Sequence, residues 1–216
     1  MVTRAQQGER CWWCGDDPTY VAYHDEEWGR PVVDDRRLFE KLCLEGFQSG
    51  LSWLTILRKR PAFRAAFADF DPHAVARFGP RDVDRLLGDA GIVRHRGKIE
   101  AAIGNAGRAL DLVDEVGSLA AYVWSFEPAP AARPRRLDRA TVAGLVTSPA
   151  SVALSADLRR RGWRYVGPTT AYAFLQSMGV VNDHVEGCPS RPVVEAERAA
   201  LERPVARTRP TVEAAR

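Results

Sequence analysis

Five side chains that bind metals well, Cys11, Cys14, His24, His184 and Cys188, lie near the two ends of this chain. His184 and Cys188 are spaced His-x3-Cys, which lets one turn present two ligands to a single ion, and Cys11 and Cys14 are spaced Cys-x2-Cys. Thiolate with imidazole is the donor set of zinc in a closed tetrahedron. Such an ion would staple the two ends of the chain. Four protein ligands would leave no open position for water, so its role would be structural. Five candidates compete for four places, and spacing alone does not choose between Cys11 and Cys14. The plainer reading is packed thiols and imidazoles without metal.

A second constellation is aromatic. Trp12, Trp13, Tyr20, Tyr23, Trp28 and Trp53 crowd into a short stretch around one helical carboxylate, Glu45. Glu45 follows Leu38 by seven residues, which at 100° per residue sets it about 20° from Leu38, at the edge of the apolar stripe. A glutamate there needs a partner to offset its desolvation. It is either held in a salt bridge or lines an aromatic pocket. Aromatic faces with one acceptor suit a flipped, cationic or electron-poor base. For each ring taken singly, core packing is the commoner role.

The third feature is the run Arg164-Tyr-Val-Gly-Pro-Thr-Thr-Ala171 between two helical patterns. Glycine permits close backbone approach, and the free amides of a helix start can hold a phosphate. A plain interhelical turn is the alternative. Arg159, Arg160, Arg161 and Arg164, with Arg94, His95, Arg96 and Lys98, could attract a nucleic-acid backbone or form solvated faces. His73 and His95 read as surface or capping residues. No nucleophile elbow, Walker loop or dinucleotide glycine fingerprint occurs, which removes the common hydrolase, ATPase and dehydrogenase readings.

The elements that must position these groups read as helices throughout, with no sustained strand alternation. An all-α fold is expected. Asp34 and Asp35 cap a helix running to about Gly46 or Gly50, and Ser52 caps the next, which Pro61 should interrupt or restart. Asp71-Pro72 and Gly79-Pro80 open short helices, and a longer one spans Gly97 to about Val116. The stretch from Glu127 to Arg136 reads as a proline-rich surface connection. Ser148-Pro149 starts a helix that stops at Gly162, and another ends at Gly179. Residues 189–216, with six arginines, four glutamates and few large apolar groups, read as a mobile tail.

The whole chain has 216 residues, 45% of them hydrophobic, enough to bury a sizeable core. Its 31 basic residues include only three lysines, leaving 28 arginines, the side chain suited to forked phosphate contacts. The net charge of +3 argues against a polybasic binder. No apolar run approaches the roughly 18 residues of a membrane helix, and the first ten residues lack the apolar core of a signal peptide, so a cytoplasmic location without membrane contact is expected. Four cysteines are too few for a disulfide scaffold.

Several runs together carry a family resemblance: Arg-Cys-Trp-Trp at 10–13, Asp-Pro-Thr-Tyr-Val-Ala-Tyr-His-Asp-Glu-Glu-Trp-Gly at 17–29, Leu-Glu-Gly-Phe-Gln-Ser-Gly-Leu-Ser-Trp at 44–53, Gly-Ile-Val-Arg-His-Arg-Gly-Lys-Ile at 91–99, Val-Gly-Pro-Thr-Thr at 166–170 and Val-Asn-Asp-His-Val-Glu-Gly-Cys at 181–188. In this order they resemble the DNA-3-methyladenine glycosylase I family of helix-hairpin-helix repair enzymes, over residues 9–188. The first eight residues and the tail after 188 lie outside the match.

The resemblance implies one structural zinc on Cys11, His24, His184 and Cys188, with Cys14 an extra thiol. It implies a pocket with Glu45 and Tyr23 as the catalytic groups and Trp53, Trp13 and Tyr20 binding the base. Gly50 and Leu51 would fill the gap left in the duplex, and Gly167 and Thr169 would belong to a phosphate-binding hairpin at 164–171. Thr169 stands where related strand-cutting enzymes carry lysine, so no Schiff base is expected. Asn182 stands where many relatives carry aspartate, which leaves the water-positioning group unassigned. The implied activity is hydrolytic release of 3-methyladenine from double-stranded DNA, by a monomer with no obligate protein partner. The competing expectation is a zinc-stapled module that binds damaged DNA without catalysis.

Overall fold

The computed structural model describes residues 9–207, and those residues form helices joined by short turns, with no strand among them. The first is α1 (Pro18–Glu26), started by Asp17, whose carboxylate accepts from the amides of Thr19 and Tyr20, with proline at the first helical position. Next comes α2 (Asp35–Gln48), capped by Asp34. Every residue from Leu38 to Phe47 in α2 is buried, so this helix runs through the middle of the molecule rather than along its surface. It packs against α3 (Trp53–Ala66), α6 (Arg96–Val116), α7 (Leu119–Trp124) and α10 (Pro168–Ser177).

The shorter α4 (Pro72–Val75) and α5 (Pro80–Gly88) pack on α6. The core joins Phe39, Phe47, Phe63, Phe67 and Phe70 with Leu112, Leu154 and Phe174, all fully buried. His95 caps α6, its ring nitrogen accepting from the Lys98 amide at 3.3 Å, as its capping reading requires.

Pro61 does not break its helix. α3 continues to Ala66 although proline removes one backbone donor, a loss that burial of Phe63 and of Phe67 just beyond outweighs. The stretch 127–136 is tied down as well. Arg133 donates to the Asn182 carbonyl at 3.0 Å and pairs with the buried Asp183.

After α8 (Arg139–Gly144), Ser148 caps α9 (Pro149–Arg160). The span Arg139–Arg160 is apolar enough by composition to cross a membrane, but it is two helices divided by a turn at 145–148. A turn over 161–167 then leads into α10, and α9 and α10 pack closely against each other. Beyond α10, Gly179 adopts φ +71°, and a Cβ there would lie 2.5 Å from the Arg30 carbonyl carbon, so only glycine allows the 29–32 segment to pass. That approach is fixed by the Gly29 and Val32 amides, which donate to the carbonyls of Ser177 and Met178.

The expected mobile tail is corrected over much of its length. Residues 190–200 form α11 (Ser190–Ala200), with Val194 fully buried. Few apolar groups are needed because arginines do the anchoring. Arg198 and Arg203 converge on Glu127 at 2.6 and 2.9 Å, and Arg30 pairs with Glu197. The remainder of that expectation, 208–216, and the first eight residues lie outside the described residues.

Candidate functional site

A cavity of about 290 Å3 opens beside α2, lined by Trp12, Trp13, Tyr20, Tyr23, Trp28, Glu45, Gln48 and Trp53, with Val142, Ala143, Leu145, Ala173 and Gln176 closing the far side. All five pocket residues expected from the sequence are here. Four elements bring the five together. A 3-10 turn over Trp12–Cys14 presents Trp13, and α1 presents Tyr20 and Tyr23 one turn apart. The central α2 supplies Glu45, and Trp53 is the first residue of α3, directly after its Ser52 cap. Trp13 packs 5.1 Å from Tyr20 and 4.9 Å from Trp28, while Tyr23 and Trp53 lie 5.4 Å apart, so the rings form a continuous wall.

Glu45 is 5% exposed and is the one carboxylate among the residues lining the cavity. Its partner is Lys41, one turn earlier, with Nζ 2.9 Å from Glu45 Oε1. Both readings of Glu45 therefore hold: it is ion-paired and it faces the cavity. Lys41 also donates to the Tyr23 hydroxyl at 2.8 Å and sits 3.1 Å from the centroid of Trp53. Burial lowers the Lys41 pKa to about 8, against the opposing pull of Glu45. Burial and then the Glu45 charge push the Tyr23 phenol well above its ordinary range, and Tyr20 is pushed up to about 12 mainly by burial. Both tyrosines are therefore neutral donors at pH 7.

Sequence reasoning missed Lys41, Gln48, Ala173 and Gln176. Lys41 left one available signal, its place three residues after Leu38 on the same buried face. Asn182 lies elsewhere. Its amide donates to the Arg191 carbonyl and to Glu195, and its oxygen accepts from the His184 amide, so it is consumed in holding the C-terminal segment.

Gly50 and Leu51 form the exposed turn between α2 and α3, with Gly50 at φ +81° and Leu51 41% exposed. Lys98 holds that turn from below, donating to the carbonyls of Phe47 at 2.9 Å and Ser49 at 2.6 Å. Gly167 precedes α10 with no side chain capping the helix, and a Cβ there would meet nothing within 4 Å. Thr169 is exposed in the first turn. Ala173, further along the same helix, lines the cavity, so Gly167 lies roughly 9 Å from the cavity wall along the helix axis.

Behind the aromatic wall, Cys11, His24, His184 and Cys188 are all buried, and their ligand atoms lie within 4.8 Å of one another, a group able to hold a metal ion. The separations are 3.6 Å from Cys11 Sγ to His184 Nδ1, 3.5 Å from Cys188 Sγ to His184 Nδ1 and 3.6 Å from Cys188 Sγ to His24 Nε2. The opposite ring nitrogens are engaged: His24 Nδ1 lies 2.8 Å from Asp25, and His184 Nε2 lies 3.1 Å from the Trp28 carbonyl. Such outer contacts orient imidazoles toward an ion. Cys14 is turned away, its thiol donating to the Cys11 carbonyl at 3.1 Å. The ambiguity between the two cysteines is thereby resolved in favour of Cys11.

Known proteins resemble this chain in sequence and in fold. The methyladenine glycosylase family model matches residues 13–191. The chain is 50% identical over 181 residues to DNA-3-methyladenine glycosylase 1 of Escherichia coli (strain K12), covering 83% of this chain and 95% of that protein. It is 42% identical over 183 residues to DNA-3-methyladenine glycosylase of Haemophilus influenzae, covering 84% and 97%. A 3-methyladenine DNA glycosylase I from Staphylococcus aureus, solved to define 3-methyladenine recognition, superposes with a TM-score of 0.79 at 37% identity, covering 84% of this chain and 96% of that one. The match spans every cavity-lining residue but Trp12 and all but the first of the four Cys/His residues, and the chain belongs to the methyladenine glycosylase family.

Proposed function

We propose that this protein is a monofunctional DNA glycosylase that removes 3-methyladenine from alkylated double-stranded DNA and so initiates base excision repair. The observation that carries the reading is the aromatic cavity with Glu45 as its one carboxylate. Its volume of about 290 Å3 suits a single purine, which must be rotated out of the stack to enter.

Methylation at N3 makes the base cationic, so it is an activated leaving group. The bond between the base and C1′ breaks, its electron pair stays with the base and neutralises it, and water adds at C1′ while releasing a proton to solvent. Little acid catalysis is needed for such a base. Glu45 accepts from the base edge, Trp53 and Trp13 stack on its faces, and Tyr20 and Tyr23, both protonated at neutral pH, present donors. None of the three lysines lines the cavity, which agrees with hydrolysis rather than Schiff-base chemistry.

Leu51 occupies the gap in the duplex, and the first-turn amides of α10 near Gly167 and Thr169 hold a phosphate as part of a helix-hairpin-helix unit formed by α9 and α10. Arg94, Arg159 and Arg164, all exposed, add local attraction to the backbone. Cys11, His24, His184 and Cys188 hold one structural zinc ion. For bonds of about 2.3 Å to sulfur and 2.05 Å to nitrogen, a tetrahedron has sulfur-to-nitrogen edges of about 3.6 Å, which the observed separations of 3.5 and 3.6 Å match. The protein acts as a monomer on cytoplasmic DNA.

The test is to incubate the purified chain with methylated duplex DNA and assay both free bases and strand breaks. Release of 3-methyladenine without strand cleavage is expected. Binding without release would instead make the protein a damage-binding module.

A further inference from the structure

Tyr165, in the turn between α9 and α10, has φ +58°, the left-handed region that glycine enters without steric penalty. A larger residue persists there only where its surroundings over-determine it. Those surroundings come from three helices. From α6, Asn105 is buried and grips Arg164 with both ends of its amide, Nδ2 donating to the Arg164 carbonyl and Oδ1 accepting from the Arg164 amide, each at 3.0 Å. From α9, the Ser155 hydroxyl donates to the Val166 carbonyl at 2.7 Å. The residues on both sides of Tyr165 are thus clamped.

The third helix is α2, which the Tyr165 side chain meets at a glycine. A Cβ on Gly46 would lie 3.2 Å from Tyr165 Cβ, and a Cβ on Gly97 of α6 would lie 3.0 Å from Tyr165 Oη. Both glycines have telling neighbours. Gly46 follows Glu45, and Gly97 precedes Lys98, the residue that donates to the carbonyls of Phe47 and Ser49 and so holds the turn carrying Leu51. Gly46, Phe47, Lys98, Asn105, Arg164 and Tyr165 all border one void of about 10 Å3, too small to take up a displacement of any of them. Movement of the 161–167 turn is therefore passed to the 49–51 turn. Tyr165 does not line the base cavity.

We propose that Tyr165 is a positioning residue that ties the phosphate-binding hairpin to the Leu51 turn, so that gripping the backbone and filling the gap left by the extruded base occur in one register. This deepens the glycosylase reading above and rests on it, and the experiment separates the two.

The full-length protein, in excess over methylated duplex DNA, is assayed for 3-methyladenine release at saturation, alongside thermal melting and binding of free 3-methyladenine followed by tryptophan fluorescence. Tyr165→Gly lowers the rate in the bound complex about tenfold, the effect of a small misplacement remote from the chemistry. Its melting temperature stays within about 3 °C of native, because relief of the left-handed backbone offsets the lost ring packing. Free-base binding stays within about twofold, and Tyr165→Phe, which keeps the ring, keeps the excision rate. A residue that merely holds the fold together would lose stability along with activity.

The coupling itself is read by combining variants. In the Tyr165→Gly background, Leu51→Ala lowers excision by less than about twofold, against about tenfold in the native chain. Gly46→Ala, whose added methyl would press on Tyr165 Cβ, lowers excision by about threefold alone and by less than about twofold once Tyr165→Gly has removed the contact. A native excision rate in Tyr165→Gly, additive losses with Leu51→Ala, or a loss of free-base binding equal to the loss of excision overturns the proposal and leaves the glycosylase reading standing. Native protein that releases no 3-methyladenine overturns that reading and the proposal with it.

Discussion

Tyr23 and His24 are consecutive residues of α1 that serve two different sites. The Tyr23 hydroxyl accepts from Lys41 beside the base pocket, while His24 Nε2 lies 3.6 Å from Cys188 Sγ in the Cys/His cluster. Trp13 spans both, with its ring 5.2 Å from His24 and 5.1 Å from Tyr20. The order of the Cys/His cluster is therefore built into the wall of the pocket.

Cys188→Ser should lose the bound metal, lower the melting temperature by roughly 10 °C and weaken base binding with it. Cys14→Ser should change none of these, because its thiol only caps the Cys11 carbonyl. Elemental analysis and thermal melts check both. Metal loss in Cys14→Ser, or full retention in Cys188→Ser, would reverse the ligand assignment.

Glu45→Gln should slow base release by roughly 10- to 100-fold, the worth of a charge-assisted hydrogen bond. Metal content should be unchanged. The substitution also strands Lys41, so it should cost stability at pH 7. The folded pKa of Lys41, about 8, lies below its unfolded value of 10.5, so the folded protein sheds this proton first and its contribution to stability rises between those values. The loss in melting temperature from Glu45→Gln should accordingly be smaller at pH 9 than at pH 7. An equal loss at both would place the stability effect outside the ion pair.

Leu51→Ala should reduce excision from duplex DNA about tenfold yet leave binding of free 3-methyladenine within about twofold. A side chain that fills a gap in the stack contributes only when DNA is present, through its buried apolar area. Parallel loss of both activities would put Leu51 in the pocket wall instead.

Affinity for DNA should depend modestly on salt, with a log–log slope of magnitude about 4 or less. Much of the arginine excess is already spent within the protein. Arg161 is forked onto Glu115 and paired with Asp157, and Arg96 pairs with Asp84 and Glu100. A slope near 9, as for ten phosphate contacts, would indicate a much larger footprint.

The site was legible where residue chemistry is rare and the rest was hidden by distance. Glu45 stood out because a carboxylate at the edge of an apolar stripe is costly, and the fold places it in the cavity wall. Lys41 did not, since lysine four residues before a glutamate reads as an ordinary surface helix pair, and only the burial of α2 by four neighbouring helices makes it central. Cys14 could not be separated from Cys11 by spacing, because the tight turn over Trp12–Cys14 decides which thiol points inward. The helix at 190–200 was missed for a similar reason. Its anchors are Arg198 and Arg203 on Glu127, a partner some seventy residues away that composition does not reveal.

The most direct test of the central claim is chromatography of the bases released from methylated duplex DNA by the native protein and by Glu45→Gln. The account predicts 3-methyladenine as the main released base, on intact strands, at a rate reduced roughly 10- to 100-fold in the variant. Native protein that binds this DNA while releasing no free 3-methyladenine would contradict it.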